Sequence, residues 1–152
     1  MIDHKTHKNE YYTWCQIKQR CLNKNHKQYK DYGERGIIIC DRWLNSFQNF
    51  IEDMKSKPSK LHQIDRIDNN GNYEPGNCRW ATPLEQARNR RTNKLVTYKG
   101  ETHILKDWAE ILDVPYKMLW KRYKLGWSVE NMFTLPSGIK PWTITKFWRG
   151  EK

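Results

Sequence analysis

Residues 63–91 read QIDRIDNNGNYEPGNCRWATPLEQARNRR, and no other stretch constrains the fold as much. Ile64 and Ile67 mark a short first strand. NNGNYEPG then supplies turn chemistry in quantity, through asparagines that tolerate left-handed backbone, glycines and a proline. CRWAT is a second strand. Pro83 suits the first turn of a helix over LEQARNRR, where a missing amide hydrogen costs nothing. The predicted unit is therefore strand, turn-rich loop, strand and helix.

The chain around it is read by periodicity. Tyr11, Trp14, Ile17 and Cys21 or Leu22 recur at helical spacing, which predicts an amphipathic helix over 10–22. NKNHKQYKDYGERG follows as a polar loop ended by glycines. IIICDRW is β-branched and reads as a buried strand. Ser46 is placed to cap a helix over FQNFIEDM, whose Phe47, Phe50, Ile51 and Met54 form one face. KSKPSK breaks the chain before the ββα unit.

TNKLV reads as a linker into a second module. VTYKGETHIL predicts a short hairpin around Gly100. Trp108, Ala109, Ile111 and Leu112 form the apolar face of one helix, Asp113-Val114-Pro115 a turn, and YKMLWKRYKLG a second helix stopped by Gly126. Two short helices across a tight turn, the second rich in Lys and Arg, fit helix-turn-helix geometry. In that arrangement Leu119 and Tyr123 face inward with Val114, and Tyr116, Lys117, Lys121 and Arg122 face a groove or phosphates. The expected organisation is an α+β chain: a first domain over 1–92, a second module over 95–136, and a basic, aromatic tail over 137–152.

The net charge of +11 is spread along the chain and favours a polyanion, of which nucleic acid is the commonest. The sequence holds no long apolar run to support a membrane partner. The polar start MIDHKTHKNE does not resemble a signal peptide, so a cytoplasmic location is expected. Eight Trp and eight Tyr are available either to stack on bases or to build a small core from large rings. The four cysteines, at 15, 21, 40 and 78, include no CxxC pair. That spacing argues against structural zinc and for buried free thiols, with a converging set of Cys21, Cys40, Cys78 and a histidine as the alternative.

Phosphodiester hydrolysis needs an activated water, a cation on the scissile phosphate and support for the leaving oxygen. A ββα unit presents these compactly when a first-strand residue and a helix residue share a hard divalent ion. Asp65 and Asp68 are expected on the first strand, where alternation sends them to opposite faces, so one of them, Asp65, is the metal ligand expected. Gln86 and Asn89 share a helix face, as a metal-facing pair would. Asn77 is placed to brace the loop through its amide.

These residues resemble a family. IDRIDNNGNYEPGNCRWATPLEQARNRR, together with YGERGIIICDRW at 32–43, is similar over residues 10–92 to the HNH, or ββα-metal, endonucleases of phage type. Residues 95–136 resemble the helix-turn-helix repeats found beside such modules in phage and intron-encoded homing endonucleases. The resemblance implies a metal-dependent hydrolase that nicks or cuts double-stranded DNA at a preferred site with Mg²⁺ or Mn²⁺. It places the acidic metal ligand on Asp65, the central asparagine on Asn77, and the last ligand on Gln86 by spacing or Asn89 by residue type.

The family's general-base histidine falls on Arg66, which keeps its proton and suits a phosphate clamp better than proton abstraction. Some ββα-metal restriction enzymes resemble this chain in carrying Asp-Arg there. Another group must then activate water, or a metal-bound hydroxide must do so, and the candidate groups are His62, Tyr32 and His26. Arg35, Arg79, Arg88, Arg90 and Arg91 supply further cations for the DNA backbone, with Tyr116, Lys117, Lys121 and Arg122 on the second module. Two rival expectations are a non-catalytic DNA-binding protein, in which Arg66 grips phosphate without metal, and an RNA-binding protein whose rings stack on unpaired bases.

Overall fold

The helix expected over 10–22 runs Lys8–Leu22 (α1) in the computed structural model, which describes residues 6–136 and Gly138. Its Trp14, Ile17 and Cys21 are buried, as the spacing required, whereas Leu22 at the last position is exposed. Glu10 is also buried, and its Oε1 accepts the Lys57 backbone N–H at 2.8 Å, which ties the chain beyond the third helix back to α1.

The chain divides into two compact units, Met1–Arg91 and Thr92–Lys152. In the first unit α1 is followed by two short 3₁₀ turns, then α2 (Asp41–Leu44), α3 (Phe47–Met54), β1 (Gln63–Arg66), β2 (Cys78–Ala81) and α4 (Pro83–Arg88). β1 and β2 pair antiparallel, with Ile64 opposite Trp80 and Asp65 opposite Arg79. The core gathers Trp14, Ile17, Ile37, Ile39, Trp43, Phe50, Met54 and Tyr73, among others. Each of its large indoles has a partner: Trp14 Nε1 donates to Trp43 O at 2.7 Å, Trp43 Nε1 to Asp53 Oδ2 at 2.7 Å and Trp80 Nε1 to Met54 O at 2.9 Å. Ser46 caps α3 as expected, accepting the Asn49 N–H.

IIICDRW does not form the expected strand. Ile37 and Ile39 point inward and Ile38 outward, so the backbone is extended, but it makes only a parallel bridge between Ile39 and Tyr73. Tyr73 N–H donates to Ile38 O and Cys40 N–H to Tyr73 O. α2 begins at Asp41, which leaves no room for a longer ladder.

The second unit opens with the predicted hairpin, β3 (Leu95–Tyr98) and β4 (Glu101–Ile104), closed by Lys99 and Gly100, both at positive φ. Two left-handed positions in succession match the twist of a tight hairpin. α5 (Leu105–Ile111), α6 (Tyr116–Lys124) and α7 (Val129–Thr134) follow. Val96, Leu105, Trp108, Ala109, Leu119 and Met132 form their core. Ile111, expected on the apolar face of α5, is 54% exposed. The helix α7, capped by Ser128, was not anticipated. The expected tail over 137–152 lies outside the described residues, apart from Gly138.

Candidate functional site

The site begins with the loop that joins β1 to β2. Asn77 organises it: its Oδ1 accepts the Asp68 N–H at 2.8 Å, and its Nδ2 donates to Asp68 O at 3.1 Å and Asn72 O at 2.9 Å. Gly71 lies so close that a Cβ there would stand 2.6 Å from Asn77 Nδ2, which accounts for the glycine. The bracing role expected of Asn77 is therefore seen. Asp68, expected on the first strand, lies beyond its end, where its Oδ1 accepts the Asn70 N–H and closes a turn. It takes no place beside Asp65.

Strand alternation turns neighbouring residues to opposite faces. Arg66 lies on the core side, 7% exposed, and Nη1 donates to Gly71 O at 2.7 Å. Its guanidinium lies over the rings of Tyr32 and Tyr73, at 5.1 and 4.9 Å. The side chain expected to grip a phosphate is here enclosed, holding loop and core together. Tyr32 is drawn into the same assembly, near-parallel to Tyr73 with ring centroids 6.1 Å apart.

Asp65 takes the other face, towards α4. Its Oδ2 accepts from Asn89 Nδ2 at 3.0 Å and from Arg79 Nε and Nη2, both at 3.2 Å. Asn89 Nδ2 also donates to Arg66 O at 2.6 Å, while Asn69 Nδ2 donates to the Asn89 carbonyl. Gln86 Nε2 instead donates to Ile64 O at 3.0 Å. Of the two candidates on the helix, Asn89 is the one brought to the Asp65 carboxylate. It reaches it from the C-cap of α4, a helix whose start is fixed by Thr82 and Glu85 in a reciprocal capping box. The Thr82 hydrogen bonds hold the Glu85 carboxyl below its ordinary range. Asn89 thus joins the Asp65 carboxylate to the Arg66 carbonyl through its amide nitrogen. Among the described residues no three His, Cys, Asp or Glu side chains gather as a metal cluster.

His62 precedes β1, and its Nδ1 is 2.9 Å from Ser59 Oγ. His26 lies in the loop after α1, where its Nδ1 accepts the Gln28 N–H. Arg35 is exposed but engaged, donating to Asp31 O and to Asn70 Oδ1 at 3.0 and 2.7 Å. Arg79, expected on DNA, is the cross-strand partner of Asp65. This pairing was readable once the register was known, because the two side chains share a face. Arg88 closes α4 and is half-buried, whereas Arg90 and Arg91 lie beyond the helix end and are exposed. Cys21 and Cys78 are buried free thiols, pushed up to about 11 and about 12 by burial.

On α6, Tyr116, Lys117 and Lys121 are exposed, as expected. Arg122 is not. It is 4% exposed, and it donates to Met132 O and Leu135 O at 2.8 Å and to Pro136 O at 2.5 Å. It satisfies carbonyls at and beyond the end of α7, which need partners wherever water is excluded. Burial lowers its pKa from the ordinary value. Tyr123, expected to point inward, is 36% exposed and near-parallel to Trp120, because Leu119 and Arg122 already occupy the inner face.

No helix of the described residues is long and apolar enough to cross a membrane. No family model matches the chain, and no curated protein or solved structure is found similar to it.

Proposed function

We propose that this chain is a metal-dependent endonuclease of double-stranded DNA, built on a ββα-metal unit with a helix-turn-helix module beside it. The observation that carries the reading is the meeting of the Asp65 carboxylate with the Asn89 side chain at the hairpin–helix junction. The sequence reading expects Asp65 and either Gln86 or Asn89 to share an ion, and it is Asn89 that lies at hydrogen-bond distance from Asp65. A bound Mg²⁺ or Mn²⁺ supplies polarisation of the scissile phosphate and charge for the leaving oxygen. Asp65 would contribute the anionic ligand, and Asn89 would contribute its amide oxygen by turning over the amide whose nitrogen now faces Asp65.

Arg66 does not take the proton from water, since it remains protonated and its guanidinium is enclosed by Tyr32 and Tyr73. His62 is the candidate base nearest in sequence to Asp65, with one ring nitrogen set by Ser59. The exposed Tyr116, Lys117 and Lys121 on α6 and the exposed Arg90 and Arg91 provide backbone and groove contacts.

The second reading, a DNA-binding protein without hydrolysis, is favoured by one specific observation: Arg79 already neutralises Asp65. A labelled duplex pool separates the two. Fragments retained by the protein in EDTA are supplied with Mg²⁺ or Mn²⁺ and resolved on a denaturing gel. Cleavage at a defined position supports the nuclease; intact strands after prolonged incubation with either ion support the binder.

A further inference from the structure

We propose that Arg79 is a resident counter-cation that keeps divalent ions off Asp65 until a DNA phosphate draws it away, so that ion loading depends on substrate. The inference rests on the nuclease reading above and deepens it.

Three observations carry it. First, Asp65 Oδ2 accepts three donors at once, Nε and Nη2 of Arg79 and Nδ2 of Asn89. A carboxylate oxygen offers two lone pairs, so this atom has none to spare for an ion unless a donor lets go. An ion on the other oxygen would lie beside the Arg79 charge and be repelled by it. Second, the pair is unevenly placed. The Asp65 side chain is 10% exposed and the Arg79 side chain 42%. The carboxylate is thus held where water screens it little, while the guanidinium has a free edge toward solvent. Arg79 can turn outward without disturbing the core, since its neighbours on β2, Cys78 and Trp80, meet the core from the opposite face of the strand. Third, a guanidinium grips a phosphate through two parallel N–H donors, which makes the DNA backbone a competing partner for the group that now holds Asp65.

These facts together give a linkage. DNA removes Arg79 from Asp65 and so favours the ion; by the same coupling the ion, by releasing Arg79, favours DNA. Asp65 and Arg79 are cross-strand partners in the β1–β2 register, so the strand pairing itself sets the gate.

The test measures Mn²⁺ binding to the full chain without nucleic acid, from the electron paramagnetic resonance of free Mn²⁺. Wild type is compared with Arg79→Ala, Arg79→Lys, Asp65→Asn and the Arg79→Ala/Asp65→Asn double variant, after thermal melts show that each is folded. Arg79→Ala is expected to bind Mn²⁺ about tenfold tighter than wild type, within the usual range of such couplings. Arg79→Lys, which keeps the charge but loses the planar grip, falls between them, and the double variant loses the gain. Arg79→Ala should also cut a duplex more slowly at saturating Mn²⁺, because its phosphate contact is gone. Tighter ion binding with slower cutting is a pair of opposite effects that a merely structural residue would not produce. Equal or weaker Mn²⁺ binding by Arg79→Ala, with Asp65→Asn still abolishing it, overturns the gate and leaves the metal site standing. Mn²⁺ binding that Asp65→Asn leaves unchanged overturns the metal site and the gate with it.

Discussion

Trp43 has no exposed surface, yet its indole N–H must be paired, and Asp53 Oδ2 accepts it at 2.7 Å while also accepting Arg42 Nε at 2.7 Å. The Arg42 hydrogen bond, aided by Trp43, holds the Asp53 carboxyl below its ordinary value of 3.8. Asp53→Ala leaves a buried donor without its partner, and a loss of about 1–3 kcal/mol is expected from urea unfolding. The pH dependence has a definite sign. Because the folded value is depressed, the unfolded chain binds the proton first, and the contribution of Asp53 is complete above 3.8 and lost as pH falls through the folded value. Asp53→Asn should therefore flatten the fall in stability within that acid window, measured against wild type. At this scale the sequence was only partly legible. Asn77 declared its role because an asparagine beside a turn has few other uses. Arg66 did not, because on a strand flanked by charges nothing in the sequence says which face is the core. Arg122 was misplaced for the same reason: a lysine-rich helix hides the one cation that turns inward to meet carbonyls.

Elements with a strong period were readable, and those defined by a partner were not. α1 and α3 followed from spacing and a serine cap, and the hairpin at Gly100 from a turn glycine. IIIC carries the composition of a strand, but its ladder depended on how much chain lay opposite, and only Tyr73 does. The helix α4 is the element on which the site depends, since it delivers Asn89 from its C-cap. Its start rests on Thr82, which accepts the Glu85 N–H while Glu85 Oε2 accepts the Thr82 N–H at 2.7 Å. Thr82→Ala should cost about 1 kcal/mol, seen as a lower midpoint in thermal melts. It should also weaken Mn²⁺ binding without touching any ligand, because a frayed first turn loosens the whole of so short a helix. Unchanged Mn²⁺ affinity in a measurably destabilised variant would show that Asn89 is held by the hairpin alone.

For the whole molecule, the net charge of +11 and two compact units, one bearing an Asp65–Asn89 site and the other an exposed Tyr116–Lys117–Lys121 face, describe a chain suited to a polyanion. Charge alone supports association with any nucleic acid and says nothing of chemistry. The fold class was legible because each unit closes within its own segment, through short-range hairpins and helices. The pairing of Asp65 with Arg79 was not, since it required the strand register. The central claim is that Asp65 and Asn89 hold the ion that cuts DNA. The most direct measurement incubates supercoiled plasmid, carrying a site the protein binds, with wild type, Asp65→Ala, Asn89→Ala and Gln86→Ala in Mg²⁺, Mn²⁺ or EDTA. The account predicts open-circular or linear product with wild type and Gln86→Ala in either metal, little or none with Asp65→Ala or Asn89→Ala, and none in EDTA. Plasmid that stays supercoiled under wild type in both metals while remaining bound, or cleavage that survives Asp65→Ala, would contradict it.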